Sequence, residues 1–154
     1  MARISDITLK EQLEYCFLSI RTTINFATEF ESFTGKSFQK ILDYLDRQNV
    51  LVSDGPIVCF HNMDLERLDV EVGFPTAKSV KGNCEIQARQ VPAQKVVTAI
   101  DLGAYEEQDP TLEDLFAWIQ EQECKPLGTI YYQYLNDTNR PPSEYLTKMM
   151  IPIQ

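Results

Sequence analysis

Apolar residues recur along the chain with two periods. Phe38, Ile41, Leu42 and Leu45 stand at the i, i+3, i+4, i+7 spacing of one helix face, which predicts a helix over residues 37–48 with Ser37 as N-cap. Leu112, Leu115, Phe116 and Ile119 repeat that spacing and predict a second helix over residues 112–122. Pro110 stops whatever precedes it, and Thr111 with Asp114 resembles a capping box whose acid is one carbon short. Segments rich in Val, Ile, Tyr and Phe, bounded by Gly, Pro, Asn and Asp, predict strands at 13–23, 56–61, 68–74, 84–89, 95–102, 129–135 and 145–153.

The two helical patterns are copies of each other. A shift of 74 positions puts Phe38 on Leu112, Ile41 on Leu115, Leu42 on Phe116, Tyr44 on Trp118, Leu45 on Ile119, Phe60 on Tyr134 and Asn62 on Asn136. After a longer loop containing Pro141 and Pro142, the closing strands align at a shift of 77, with Phe74-Pro75 on Ile151-Pro152. Each half reads as strand, helix, strand, strand, so one domain over 1–154 is expected, with pseudo-repeats at about 10–80 and 81–154. Tyr44 and Trp118 lie roughly 120° from their apolar stripes, where an aromatic either edges the core or lines a groove.

Composition narrows the function classes. At 154 residues, 44% hydrophobic and 24% charged, the chain suits a single folded core. No signal peptide precedes residue 14 and no apolar run could span a bilayer, so a cytoplasmic protein without a membrane partner is expected. Cys16, Cys59, Cys84 and Cys124 are scattered without metal-ligand spacing and read as reduced, small apolar residues. A net charge of −9 without a Lys/Arg stripe argues against direct nucleic-acid binding. His61, the single histidine, has no Cys or acidic pair at ligand spacing; it reads as a surface-loop residue, and neither a metal nor a cofactor is expected. The six glycines are isolated and make no phosphate loop.

Several segments resemble one family. DVEVGFP at 69–75, VPAQKVVTAIDLGAYE at 91–106, YLND at 134–137, and the closing Pro-Pro, Glu144 and IPI follow the order and spacing of GyrI-like domains, the effector-binding domains of AraC-type and MerR-type multidrug regulators, which also occur as stand-alone bacterial proteins. The resemblance covers nearly the whole chain. It implies an α+β fold: duplicated βαββ modules forming one antiparallel sheet with two helices on one face, and a small-molecule groove between the halves. Regulators of this kind add a helix-turn-helix domain, whereas here almost nothing precedes the first strand, so a sensor or sequestration module without the DNA reader is expected.

The family's groove sets aromatic side chains around an acid on the last strand, which suits lipophilic cations. The position implied for that acid holds Lys148, and the 77 shift places Lys148 opposite Glu71. The departure weakens cation selectivity and leaves two alternatives, an internal Glu71–Lys148 ion pair or an anionic ligand at Lys148. The expected ligand-binding residues are Tyr44, Glu71, Tyr105, Trp118, Tyr132, Tyr134 and Lys148, around a lipophilic or aromatic molecule. Two other readings stay open. In a hydrolase of reactive lipophilic compounds, Glu71, Glu144 or Tyr105 would activate water. In a protein-binding inhibitor of the topoisomerase-inhibitor type, the partner would be a protein; a homodimer is a further alternative.

Overall fold

The computed structural model of the chain describes residues 2–136 and 139–154, so Asp137 of the YLND motif lies outside the described residues. In chain order the elements are β1 (Ala2–Arg3), β2 (Thr8–Gln12), β3 (Tyr15–Ile24), α1 (Phe26–Gln48), β4 (Ile57–Phe60), β5 (Leu68–Thr76), β6 (Gln87–Val91), β7 (Gln94–Leu102), α2 (Asp109–Glu121), β8 (Ile130–Tyr134) and β9 (Leu146–Ile153). Every pairing given below is antiparallel, and the class is α+β.

The chain divides into two compact units. In the unit over Leu13–Ala93, β5 lies between β4 and β3, and β6 continues from β3. Ile41, Tyr44 and Leu45 of α1 pack on Leu18, Ile20 and Phe74 of this sheet. In the other unit, Gln94–Gln154 with the N-terminal residues through Gln12, β9 lies between β8 and β7, and both β1 and β2 pair with β7. Each unit thus carries one βαββ module with the same strand order.

The duplication extends to individual hydrogen bonds. The Val50 amide donates to the Leu45 carbonyl as Cys124 does to Ile119, and Asn49 and Glu123, 74 positions apart, both take positive φ at the helix ends. Asn62 clamps the β4–β5 connection by donating to the Arg67 carbonyl and accepting from the Asp69 amide. Asn136 does the same for β8–β9 with the Glu144 carbonyl and the Leu146 amide. Burial repeats as well: Ile41 and Leu115 are buried, Phe38 and Leu112 half-buried, and Leu42 and Phe116 exposed.

Three expectations are corrected. α1 begins at Phe26 rather than at residue 37: the Asn25 side chain accepts from the Thr28 amide while Glu29 accepts from the Asn25 amide, a reciprocal cap. Ser37 is therefore an interior residue of the buried helix face. Thr111 caps nothing, because its hydroxyl donates to Asp101 Oδ1 at 2.6 Å, and Asp114 instead meets Arg3 at 3.3 Å. The segment predicted as a strand at 84–89 forms its strand later, at Gln87–Val91, after a tight turn in which Cys84 has φ 53°.

Candidate functional site

The first constellation is built on β5. Side chains alternate across a strand while ladder partners share a face, so the register places Glu71 with Cys59 of β4 and Arg21 of β3, on the face away from α1. Glu71 is 1% exposed. Its Oε2 accepts from Ser19 Oγ at 2.5 Å and from Arg89 Nε at 2.9 Å; its Oε1 accepts from Arg89 Nη2 and from His61 Nε2, both at 2.8 Å. An ionised carboxylate only accepts, so the proton of the His61 contact sits on Nε2. Burial would push the Glu71 carboxyl up, but the hydrogen bonds from His61, Arg89 and Ser19 outweigh it and hold the pKa at about 2.

Around this cluster, the Arg89 guanidinium carbon lies 5.4 Å from the Phe17 ring centroid. Arg21 forms a bidentate pair with Asp69 at 2.8 and 2.7 Å, and that hydrogen bonding lowers the Asp69 pKa. His61 is 13% exposed, which corrects the surface-loop reading. Cys59, His61 and Glu71 hold their donor atoms within 4.8 Å of one another, a set suited by type to zinc. Arg89, however, fixes both carboxylate oxygens and sets a positive charge where a metal ion would bind. The sequence signal was the Cys-x-His alternation on one strand; the cross-strand acid needed the register.

The second constellation lies in the other unit. Tyr105 is stacked between Tyr134, at 4.7 Å between centroids, and Tyr145, at 4.8 Å. All three rings are half-buried. Burial, with Tyr145 beside it, pushes the Tyr105 hydroxyl up to about 12, and burial also raises Tyr132 and Tyr134. Tyr134 pairs with Thr147, and Thr147 with Asp101. Because Thr111 of α2 bonds to Asp101, these residues lie on the α2 face of the sheet.

The structure distributes the expected site residues as follows. Tyr105, Tyr132 and Tyr134 gather on the α2 side, and Trp118 is a half-buried residue of α2 itself. Lys148 is half-buried on β9 and pairs with Gln133 and Ile100, on the opposite face from Tyr132 and Tyr134. That ladder position is equivalent to Glu71, which pairs with Cys59 and Arg21. Tyr44 sits in the core under α1, its hydroxyl donating to the Lys81 carbonyl at 2.6 Å. Glu144 is exposed in a short turn at Pro142–Glu144. Tyr145 joins the stack but was not singled out, because the sequence carries seven tyrosines and the pattern does not rank them.

Such a duplicated βαββ architecture is that of the GyrI-like domains. The chain belongs to the GyrI-like small molecule binding domain family, whose model matches residues 5–154. Among solved structures it is similar to EcmrR. The isolated C-terminal domain of EcmrR superposes with a TM-score of 0.83 at 16% identity, over 98% of both chains. EcmrR in its DNA complex gives 0.84 at 18%, over 97% of this chain, which spans 57% of the EcmrR chain. A hydrolase from Listeria innocua gives 0.74 at 11%, covering 99% of this chain and 94% of that one. SAV2435 bound to tetraphenylphosphonium gives 0.63 at 12%, over 97% and 94%. No functionally curated protein matches the sequence. Among the described residues no helix is long and apolar enough to cross a membrane.

Proposed function

We propose that the chain binds a small lipophilic or aromatic organic molecule, with the Tyr105–Tyr134–Tyr145 stack as its aromatic wall, Tyr132 on the same face of the sheet, and Trp118 on α2, the helix packed on that face. The observation that carries this is three stacked, half-buried rings, Tyr105 lying 4.7 and 4.8 Å from its neighbours' centroids at interplanar angles of 27° and 26°. Partly exposed stacked rings leave apolar area for a ligand to bury, about 25 cal/mol per Å². A phenol is uncharged at neutral pH, and burial only raises Tyr105, Tyr132 and Tyr134 further, so the wall is neutral.

The ligand's charge follows from where the charged residues stand. The SAV2435 structure pairs this fold with a lipophilic cation. Here Lys148 lies on the face opposite the tyrosines, and Glu71, on the face of its own unit away from α1, already has Ser19, His61 and Arg89 on its oxygens, so neither charge stands at the wall. A neutral aromatic compound is thus favoured over tetraphenylphosphonium. Glu71, held ionised to about pH 2, is also a weak base, which favours binding over turnover.

The test is a panel of neutral, cationic and anionic aromatic compounds, read by Trp118 fluorescence, melting temperature and product mass. Neutral compounds should bind with unchanged mass, at least tenfold tighter than tetraphenylphosphonium, and Tyr105→Ala should weaken them tenfold or more. Conversion of any compound, or no binding by neutral members, overturns the reading.

A further inference from the structure

The Glu71 cluster has the composition of a site for a small organic cation, and its present occupant is part of the chain. A planar guanidinium lies with two N–H groups on a carboxylate, at 2.9 and 2.8 Å, and its carbon 5.4 Å from the centroid of the buried Phe17 ring. Carboxylate in plane and aromatic ring alongside are what a protein uses to recognise a guanidinium or amidinium ligand. The carboxylate is fixed independently of Arg89, by Ser19 on one oxygen and His61 on the other. It would keep its place if the guanidinium left.

One further observation says that the occupant can leave: the Arg89 side chain is 32% exposed, whereas the carboxylate it covers is 1% exposed.

We propose that Glu71 and Phe17, braced by Ser19 and His61, form a binding site for a small guanidinium- or amidinium-bearing compound, kept closed by Arg89 acting as a tethered surrogate ligand. The site is separate from the tyrosine wall and does not depend on it. In the native chain a ligand must displace a guanidinium held at high effective concentration, of order millimolar or more. The native site therefore admits such compounds only weakly, and loss of the tether opens it.

Chemical rescue tests this. Arg89→Ala removes the surrogate, and methylguanidinium at 0.1–20 mM should raise its melting temperature saturably, at least tenfold more tightly than it acts on the native chain. Sodium chloride at equal ionic strength should not do so, and Glu71→Gln/Arg89→Ala should lose the response. Arg89→Gln serves where Arg89→Ala does not fold. If a folded variant shows no saturable response, or if the double variant responds equally, the assignment is wrong. Binding of neutral aromatics, measured in the same preparations, reports separately on the tyrosine wall.

Discussion

Glu71 concentrates the physical argument at the residue scale. Its carboxyl is depressed from the ordinary 4.5 to about 2, so its contribution to stability is present above the unfolded-state value and is lost as pH falls from about 4.5 through 2. A shift of that size is worth on the order of 3 kcal/mol. Glu71→Gln should cost on the order of 3 kcal/mol at pH 7, because it loses the charge that accepts from His61, Arg89 and Ser19, and should flatten the acid limb of stability. Urea unfolding at pH 7 and pH 3 measures both; an equally steep acid limb in the variant would mean that other carboxylates carry it. The tyrosines work in the opposite sense. Tyr105, raised to about 12, contributes stability below pH 10 that disappears as pH rises through 12. Ultraviolet titration should show a tyrosine phase near pH 12 that Tyr105→Phe removes. Glu71, Tyr105 and Tyr134, which stand in the two constellations, were legible in the sequence, whereas the pattern groups Lys148 with the tyrosines and it lies on the opposite face from Tyr132 and Tyr134. The partners of Glu71 were not legible: Ser19, His61 and Arg89 meet it from separate strands and a strand end, 10 to 52 positions away, and register alone brings them together.

At the scale of elements, the shared helix pattern and the strand order were legible because each half has its own apolar period. The first eleven residues of α1 were not. Thr34 and Gly35 interrupt the stripe, and Phe26, Phe30 and Phe33 belong to a different contact, in which Phe26 and Phe30 pack on Phe60 with centroids at 6.1 Å while Phe33 packs against the core. β1 and β2 escaped notice because they are almost wholly exposed and carry no alternation. Three substitutions separate these terms. Asn25→Ala removes the cap and should cost about 1 kcal/mol. Gly35→Ala should stabilise by up to about 1 kcal/mol, since a Cβ there meets nothing within 4 Å. Gly73→Ala should cost more than about 2 kcal/mol, because its Cβ would collide with the Leu18 carbonyl and with Ser19 of β3. Urea midpoints ordered otherwise would mean that α1 starts elsewhere or that β3 and β5 are not in this register.

For the whole molecule, two copies of βαββ give Glu71 and Tyr44 structural twins, and the twins diverge in chemistry. The carboxylate of Glu71 has the ammonium of Lys148 at its equivalent ladder position, and the core phenol Tyr44 has the half-buried Trp118. Duplication fixes the positions, and divergence gives the two copies different chemistry. The net charge of −9 acts on the whole surface, so the 154-residue chain should not bind duplex DNA at physiological salt; micromolar, salt-sensitive binding to a labelled duplex would contradict this.

The two faces of the sheet compete as the place of the aromatic ligand. Lys148 lies on the face opposite Tyr132 and Tyr134, so a ligand on the tyrosine wall and a ligand beside Lys148 are mutually exclusive readings of the same unit. If the wall binds, Lys148→Met should leave the affinity for a neutral aromatic compound unchanged within about twofold, because a charge on the far face is not desolvated by ligand and is screened. Lys148→Glu should do the same. Tyr134→Leu should weaken binding tenfold or more, about 1.4 kcal/mol or above, since it removes one side of the stack that orders Tyr105. Fluorescence titration of the three variants with one neutral and one cationic aromatic compound separates the faces. Should Lys148→Glu raise the cation's affinity while Tyr134→Leu leaves the neutral compound's intact, the ligand occupies the helix-free face, and the tyrosine stack is a packing feature of α2.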